Sequence, residues 1–308
     1  MSQLRRGYLY GIGAYLLWGF FPIYIKLLRP AGAVEILAHR VVWSVAFVAL
    51  VLAAMRNWGF LRGLLRRPKS LAGITLAAAL IAVNWGAYIY GVNSARVVET
   101  ALGYFINPLV VILLGVTVLR ERLRAPQWIA LGIGTVAVAV LAVDYGRLPY
   151  LAFTLALSFG GYGLAKKRLG LPAAEGLFVE SAVLSLPALA YLGWLTWRGE
   201  STFGRVSTGH TLLLLVAGAA TAIPLLLFAG AANRIPLTGL GIVQYIAPIL
   251  QFGSGVLIFH EPMPAARLGG FALVWLALVI FTADAIRHAR RQARAALLAA
   301  TPEPAAVA

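Results

Sequence analysis

Ten stretches of about twenty mostly apolar residues follow one another with little between them, and that length is what a helix needs to cross a bilayer. At about 1.5 Å of rise per residue, roughly 20 residues traverse the ~30 Å hydrocarbon core. The windows fall near 7–28, 34–55, 71–92, 97–119, 125–143, 148–165, 176–195, 211–232, 237–259 and 266–286 of the 308 residues. With 61% hydrophobic residues, 12% charged residues and a mean hydropathy of +0.86, no soluble core could hide the apolar surface. Runs such as Ile129 to Val143 and Phe271 to Phe281 are apolar on every face, whereas strands of a membrane barrel would alternate. The pattern predicts an all-α membrane protein of ten transmembrane helices.

A formal charge of +16 raises the question of nucleic acid, but the basic residues crowd alternate connections. Arg5, Arg6, Arg56, Arg62, Arg66, Arg67, Lys69, Arg120, Arg122, Arg124, Lys166, Lys167, Arg168, Arg234, Arg287, Arg290, Arg291 and Arg294 fall on one side. Fewer fall on the other. The positive-inside rule places both termini in the cytoplasm and accounts for these charges without a nucleic-acid partner. Arg5, Arg6, the first apolar run and Ala31-Gly32-Ala33 imitate a signal peptide. That run is too long for a signal core and holds Trp18, Pro22 and Lys26, so it reads as the first span. With no cysteine there is no disulfide framework or thiol chemistry, and no metal or cofactor is expected. Residues 287–308 read as a basic, then disordered, cytoplasmic tail.

Laid on itself at an offset of 140 residues, the chain pairs Ile106 with Ile246, Pro108 with Pro248 and Gly115 with Gly255. Glu121 meets Glu261, Ala125 meets Ala265 and Asp144 meets Asp284 in the same register. A first repeat over 7–144 and a second over 148–286 each hold five spans. An odd number of spans makes the second repeat enter from the opposite side, the inverted architecture associated with alternating access. The duplication could equally be only a trace of ancestry.

At these residues the chain resembles the drug/metabolite transporter superfamily, in particular its EamA-domain proteins of the RarD branch. The resemblance runs from about residue 6 to 288. It is carried by Trp18 to Lys26, Glu35 to Ser44, Asn84-Trp85, Glu99 to Leu109, Glu121-Arg-Leu, Gln127-Trp128, Ser158 to Leu164 and Gln244 to Pro248. It implies two EamA repeats, ten helices in the bacterial cytoplasmic membrane, and export or exchange of small metabolites or drugs.

Polar groups inside a span are costly, so each needs a partner, a wet cavity or a task. Glu35 and His39 lie four apart on one helical face with Arg40 beside them. The set suits the charged end of a substrate or a proton exchange, or else an interfacial group with Arg40 snorkelling to headgroups. Asn84, Trp85, Tyr88, Tyr104 and Asn107, with Trp18 and Tyr162, offer amides and flat rings for a substrate cavity; the alternatives are helix-to-helix glue and ordinary aromatic packing. Pro108 and Pro248 each remove a helical hydrogen bond and would make matched gating kinks. Asn107, Gln244, Tyr245 and Gln251 beside them mark the fourth and ninth spans as cavity walls. Glu99 and Glu180 are either coupling carboxylates or arginine partners at the interface, and Glu121 and Glu261 read as structural connectors.

These features together predict a secondary transporter that exports or exchanges a small amphipathic metabolite or drug. A lipid-linked flippase shares the same physics and is the alternative. An enzyme is not expected: no H-E-x-x-H, G-x-S-x-G or phosphate-binding G-x-x-x-x-G-K-[ST] loop occurs, and His39, His210, His260 and His288 are scattered. The partners expected are a small molecule and the bilayer; glycine-rich faces permit a homodimer without demanding one.

Overall fold

The computed structural model describes residues 3–56, 58–65, 68–119, 123–169, 172–235 and 237–300. Glu121, four of the arginines that orient the chain (Arg66, Arg67, Arg120, Arg122) and the tail from 301 lie outside these residues. The described residues form helices and their connections, and every apolar window of the sequence coincides with helix.

Helices α1 (Gln3–Gly19) and α2 (Phe21–Leu27) form one segment bent by 40°. Then come α3 (Ala33–Ala54), the short α4 (Gly59–Leu65), α5 (Pro68–Asn93), α6 (Val97–Leu119) and α7 (Ala125–Asp144). The second half runs through α8 (Tyr150–Leu169), α9 (Ala173–Trp197), α10 (Thr208–Ala232), α11 (Leu237–Val243), α12 (Ile246–Gly253), a π-helical turn (Ser254–Ile258) and α13 (Ala265–Ala300). Six helices among the described residues are long and apolar enough to cross a membrane: α3, α5, α7, α9, α10 and α13. The bent α1–α2 pair is a further one, and Val97–Val111 and Ile246–Ile258 are shorter apolar helices. Helix α8 is diluted by three glycines and by Lys166, Lys167 and Arg168. Leu50 at 71%, Leu186 at 76% and Val143 at 82% exposure show how apolar the outer surface is. A water-soluble monomer does not carry apolar patches on that scale.

The helices pack in reciprocal fashion. α7 lies along α13, and α3 along α9. α5 on α8 is matched by α1 on α10, α6 on α8 by α1 on α12, and α3 on α10 by α5 on α9. Taken by position within each half, each of these contacts has a counterpart. Small residues allow the closest approaches. A Cβ on Gly218 of α10 would lie 2.2 Å from the backbone of Trp43 in α3, and one on Gly255 would lie 2.8 Å from Val98 in α6.

The breaks have local causes. Proline has no N–H, so the carbonyl four residues earlier loses its helical donor. Pro22 deprives Trp18, the first helix bends there, and the Gln251 amide donates to the Trp18 carbonyl from α12 at 3.0 Å. Pro108, by contrast, sits inside an unbroken α6. Its counterpart Pro248 follows an interruption at Gln244–Tyr245, and Ser254–Ile258 then relaxes to π geometry. The matched kinks expected at the two prolines are thus one continuous helix and one broken one.

Candidate functional site

Arg40 is the focus of the interior. It sits seven residues into α3, about 10 Å along the helix axis, and is buried at 4% exposure. Its guanidinium lies 4.8 Å from the Phe21 ring centroid at the α1–α2 break and 4.7 Å from the Trp85 ring of α5. Nε donates to Thr221 Oγ1 of α10 at 3.0 Å, a contact between the two halves. Nη1 is buried with no hydrogen-bond partner, and no carboxylate pairs with Arg40 among the described residues. Phe21 packs on Tyr24 and Tyr88 at 5.4 and 6.3 Å, and Tyr88 on Tyr104 at 5.9 Å. The Tyr88 hydroxyl is buried without a partner, and so is Oδ1 of Asn107, one turn beyond Tyr104 on α6. The snorkelling alternative for Arg40 does not hold: the side chain turns inward between two rings.

The other two members of the expected charge cluster face elsewhere. Glu35 accepts from Ser201 Oγ at 3.2 Å and from the Thr202 amide at 2.7 Å, which ties the connection between α9 and α10 to the start of α3. His39 stacks on Phe203 at 4.9 Å, and its Nδ1 accepts from Trp43 Nε1 at 3.2 Å. Nε2 is left without a partner.

Several candidate residues have structural duties. Asn84 donates to the Leu155 carbonyl at 3.0 Å and to Ser158 Oγ at 3.2 Å, and accepts from the Tyr104 hydroxyl at 3.2 Å, so it joins α5, α6 and α8. Trp18 packs with Tyr15 and Phe228. Tyr162 donates to Glu180 at 3.0 Å, and Lys166 pairs with the same carboxylate at 2.9 Å. Gln251 anchors the broken first helix through one amide end, while its Oε1 is buried and unpaired. Tyr245 packs against the aromatic core around Phe105, Phe252, Phe271 and Trp275, and among the described residues no hydrogen bond or ring contact joins it or Gln244 to Arg40.

At the end of the bundle holding 93–97, 145–150 and 259–264, charges are densely satisfied. Glu99 takes Arg96 at 2.7 Å, Arg147 at 2.9 Å and the Leu151 amide at 3.3 Å; Arg96 also bonds the Tyr150 hydroxyl. Burial works against the charge of Arg96, but its bonds to Tyr150 and Glu99 outweigh that and raise its pKa. Burial likewise pushes the Tyr145 phenol up, against the pull of Arg267, whose guanidinium lies 4.3 Å from that ring. The Glu261 carboxylate accepts from the Val97 and Val98 amides at 2.6 and 2.8 Å, capping the start of α6 from the other half. Two ion pairs join α7 and α13, Arg124 to Asp284 at 2.6 Å and Arg267 to Asp144 at 2.7 Å, one at each end of the antiparallel pair.

Sequence reasoning missed Phe21 and Thr221. Thr221 is a solitary hydroxyl in the middle of the apolar α10 and could have been noticed. Phe21 had no distinguishing mark beyond its place before Pro22.

Long apolar helices with apolar outer faces, bundled around a buried cation and its aromatic neighbours, make a polytopic membrane protein. Residues 5–143 match the EamA-like transporter family. The chain is 57% identical to protein RarD of Streptomyces exfoliatus, over 98% of this chain and 95% of that one. It is 42% identical to the uncharacterized transporter YojE of Bacillus subtilis, over 94% and 97%. It is 31% identical to the chloramphenicol-sensitive protein RarD of Pseudomonas aeruginosa, again over 94% and 97%. A solved crystal structure shares the fold at a TM-score of 0.57 and 18% identity, covering 91% of this chain and 98% of that one. The chain therefore belongs to the EamA/RarD family of drug/metabolite transporters and is a membrane transporter.

Proposed function

We propose that the chain is a secondary transporter of the bacterial cytoplasmic membrane that exports or exchanges a small amphipathic metabolite or drug. Residues 7–144 and 148–286 act as two inverted repeats, together crossing the membrane ten times with both termini in the cytoplasm. The observation that carries this reading is the reciprocal packing of the halves, in which each major helix contact has its counterpart. Such packing lets two repeats exchange conformations around a shared site, which opens to one side and then the other. The site centres on Arg40 and Tyr88, which hold buried polar atoms without partners around Phe21, atoms that a solute or admitted water would satisfy. Asn107 and Gln251 hold further such atoms on α6 and α12. No ATP-binding loop is present in the sequence, so a solute or ion gradient supplies the driving force.

Topology is tested by single cysteines, which the cysteine-free chain reports without background. Val206→Cys should react with an impermeant maleimide on intact cells, and Arg290→Cys only after lysis; the reverse pattern would overturn the orientation. Transport is tested in proteoliposomes with pooled labelled metabolites and drugs, with and without a proton gradient. Saturable uptake that Asn107→Ala abolishes is the expected result. Correctly folded protein that moves no solute would count against the carrier.

A further inference from the structure

We infer that Arg40 is the anchor of a binding site for an organic anion, a carboxylate attached to a flat apolar body. For its part in transport this rests on the carrier reading above, but binding itself does not. Taking a charge out of water is expensive, and a buried ion normally recovers the loss from a counter-ion and a full set of hydrogen bonds. Arg40 has neither. A guanidinium offers five N–H groups in a planar fork that matches a carboxylate in bidentate fashion. Here Nε is used on Thr221, Nη1 has no partner, and no carboxylate pairs with the group among the described residues.

The nearest carboxylate along the helix does not serve. Glu35, five residues away on α3, spends Oε1 on Ser201 and Thr202. The two rings that flank the cation, Phe21 and Trp85, hold it in place while leaving its N–H edge to another acceptor. Tyr88 brings a buried hydroxyl with no partner into the same surroundings. Tyr24 and Tyr104 present further rings there, although their hydroxyls are spent on Leu213 and Asn84. A free guanidinium edge, a spare hydroxyl and a lining of aromatic faces define the ligand: a carboxylate for the fork, with an aromatic or similarly flat hydrocarbon body against the rings. The position favours a transported ligand, because the Arg40 to Thr221 bond crosses between the halves beside the broken first helix.

The test uses full-length protein in lipid nanodiscs and pairs of ligands that differ only in charge, such as benzoate, phenylacetate and cinnamate against their amides. Binding is read by intrinsic tryptophan fluorescence and by the thermal shift. The acids should bind and the amides should bind at least about tenfold more weakly, the value of a charge-assisted bond. Arg40→Met should abolish the preference. It should also leave the unliganded melting temperature unchanged or raise it, because it removes a buried charge that nothing neutralises. Arg40→Lys, which keeps the charge and loses the fork, should bind the acids several-fold more weakly, and Tyr88→Phe should weaken them less; both variants keep the test open if Arg40→Met fails to fold. Equal binding of acid and amide, or acid binding unaltered in Arg40→Met, overturns the site. If no acid binds while proteoliposomes carry neutral solutes, the anion site falls and the carrier stands. If acids bind through Arg40 and none is ever carried, the site stands and the carrier falls.

Discussion

Helix α6 and the α11–α12 segment occupy corresponding places in the two halves, with prolines 140 positions apart, and yet they are shaped differently. α6 runs unbroken past Pro108. Its counterpart stops at Val243, resumes at Ile246 and ends in a π turn. A proline specifies a missing donor, and whether the helix then gives way depends on its surroundings. The α12 side carries extra duties. Gln251 reaches the freed Trp18 carbonyl, Gly255 is pressed against Val98, and Glu261 caps α6 just beyond the π turn. A straight helix of the same length would bring these three groups round at different angles. If the halves alternate, α6 is the segment expected to break in the opposite state.

The largest effect should come from the cap that joins the two segments. Glu261→Ala removes the acceptor of two buried amides and should cost about 3 kcal/mol. The loss would be read in thermal unfolding and as faster amide exchange at Val97 and Val98; unchanged exchange there would sever the link between the π turn and α6.

An intermediate effect is expected from the prolines. Pro248→Ala restores a donor for the Gln244 carbonyl and should slow exchange across 244–249 as the interruption heals, with transport reduced. Pro108→Ala should stabilise α6 by about 1 kcal/mol, one hydrogen bond, without changing its shape. Larger exchange changes in Pro108→Ala than in Pro248→Ala would reverse the comparison.

The smallest effects belong to the ion pairs. Asp284→Asn should cost under about 1 kcal/mol, because Arg124 is more than a third exposed. Asp144→Asn should cost somewhat more, its pair being better buried. Paired unfolding curves that ranked the two the other way would deny that burial sets their strength.

Much of the helical framework was legible because bilayer thickness imposes a length that composition alone reveals. The break in the first helix was less so: Pro22 is visible, but the amide that satisfies the freed carbonyl comes from Gln251, more than 200 residues on. At the site, Arg40 stood out as a charge inside a span. Its surroundings were legible only in part: Trp85 was visible as a ring beside a polar residue inside a span, but Phe21 and Thr221 were missed. Only packing brings these residues of three other helices to one guanidinium and tells an inward side chain from one that snorkels. Glu99 and Glu180 show the converse. Their sequence positions allowed either a free or a paired carboxylate, and the structure supplies cations for both.

The ion pairs between α7 and α13 bear on how two helices find their alignment. Each half contributes one arginine near the start of its last helix and one aspartate towards its end, and each charge is answered by the other half. A helix with Arg124 and Asp144 at its two tips is complementary in charge to an antiparallel helix carrying the same two charges in the same order, and α13 with Arg267 and Asp284 is such a helix. Two charges at the tips of one helix thereby fix both the direction and the register of its neighbour.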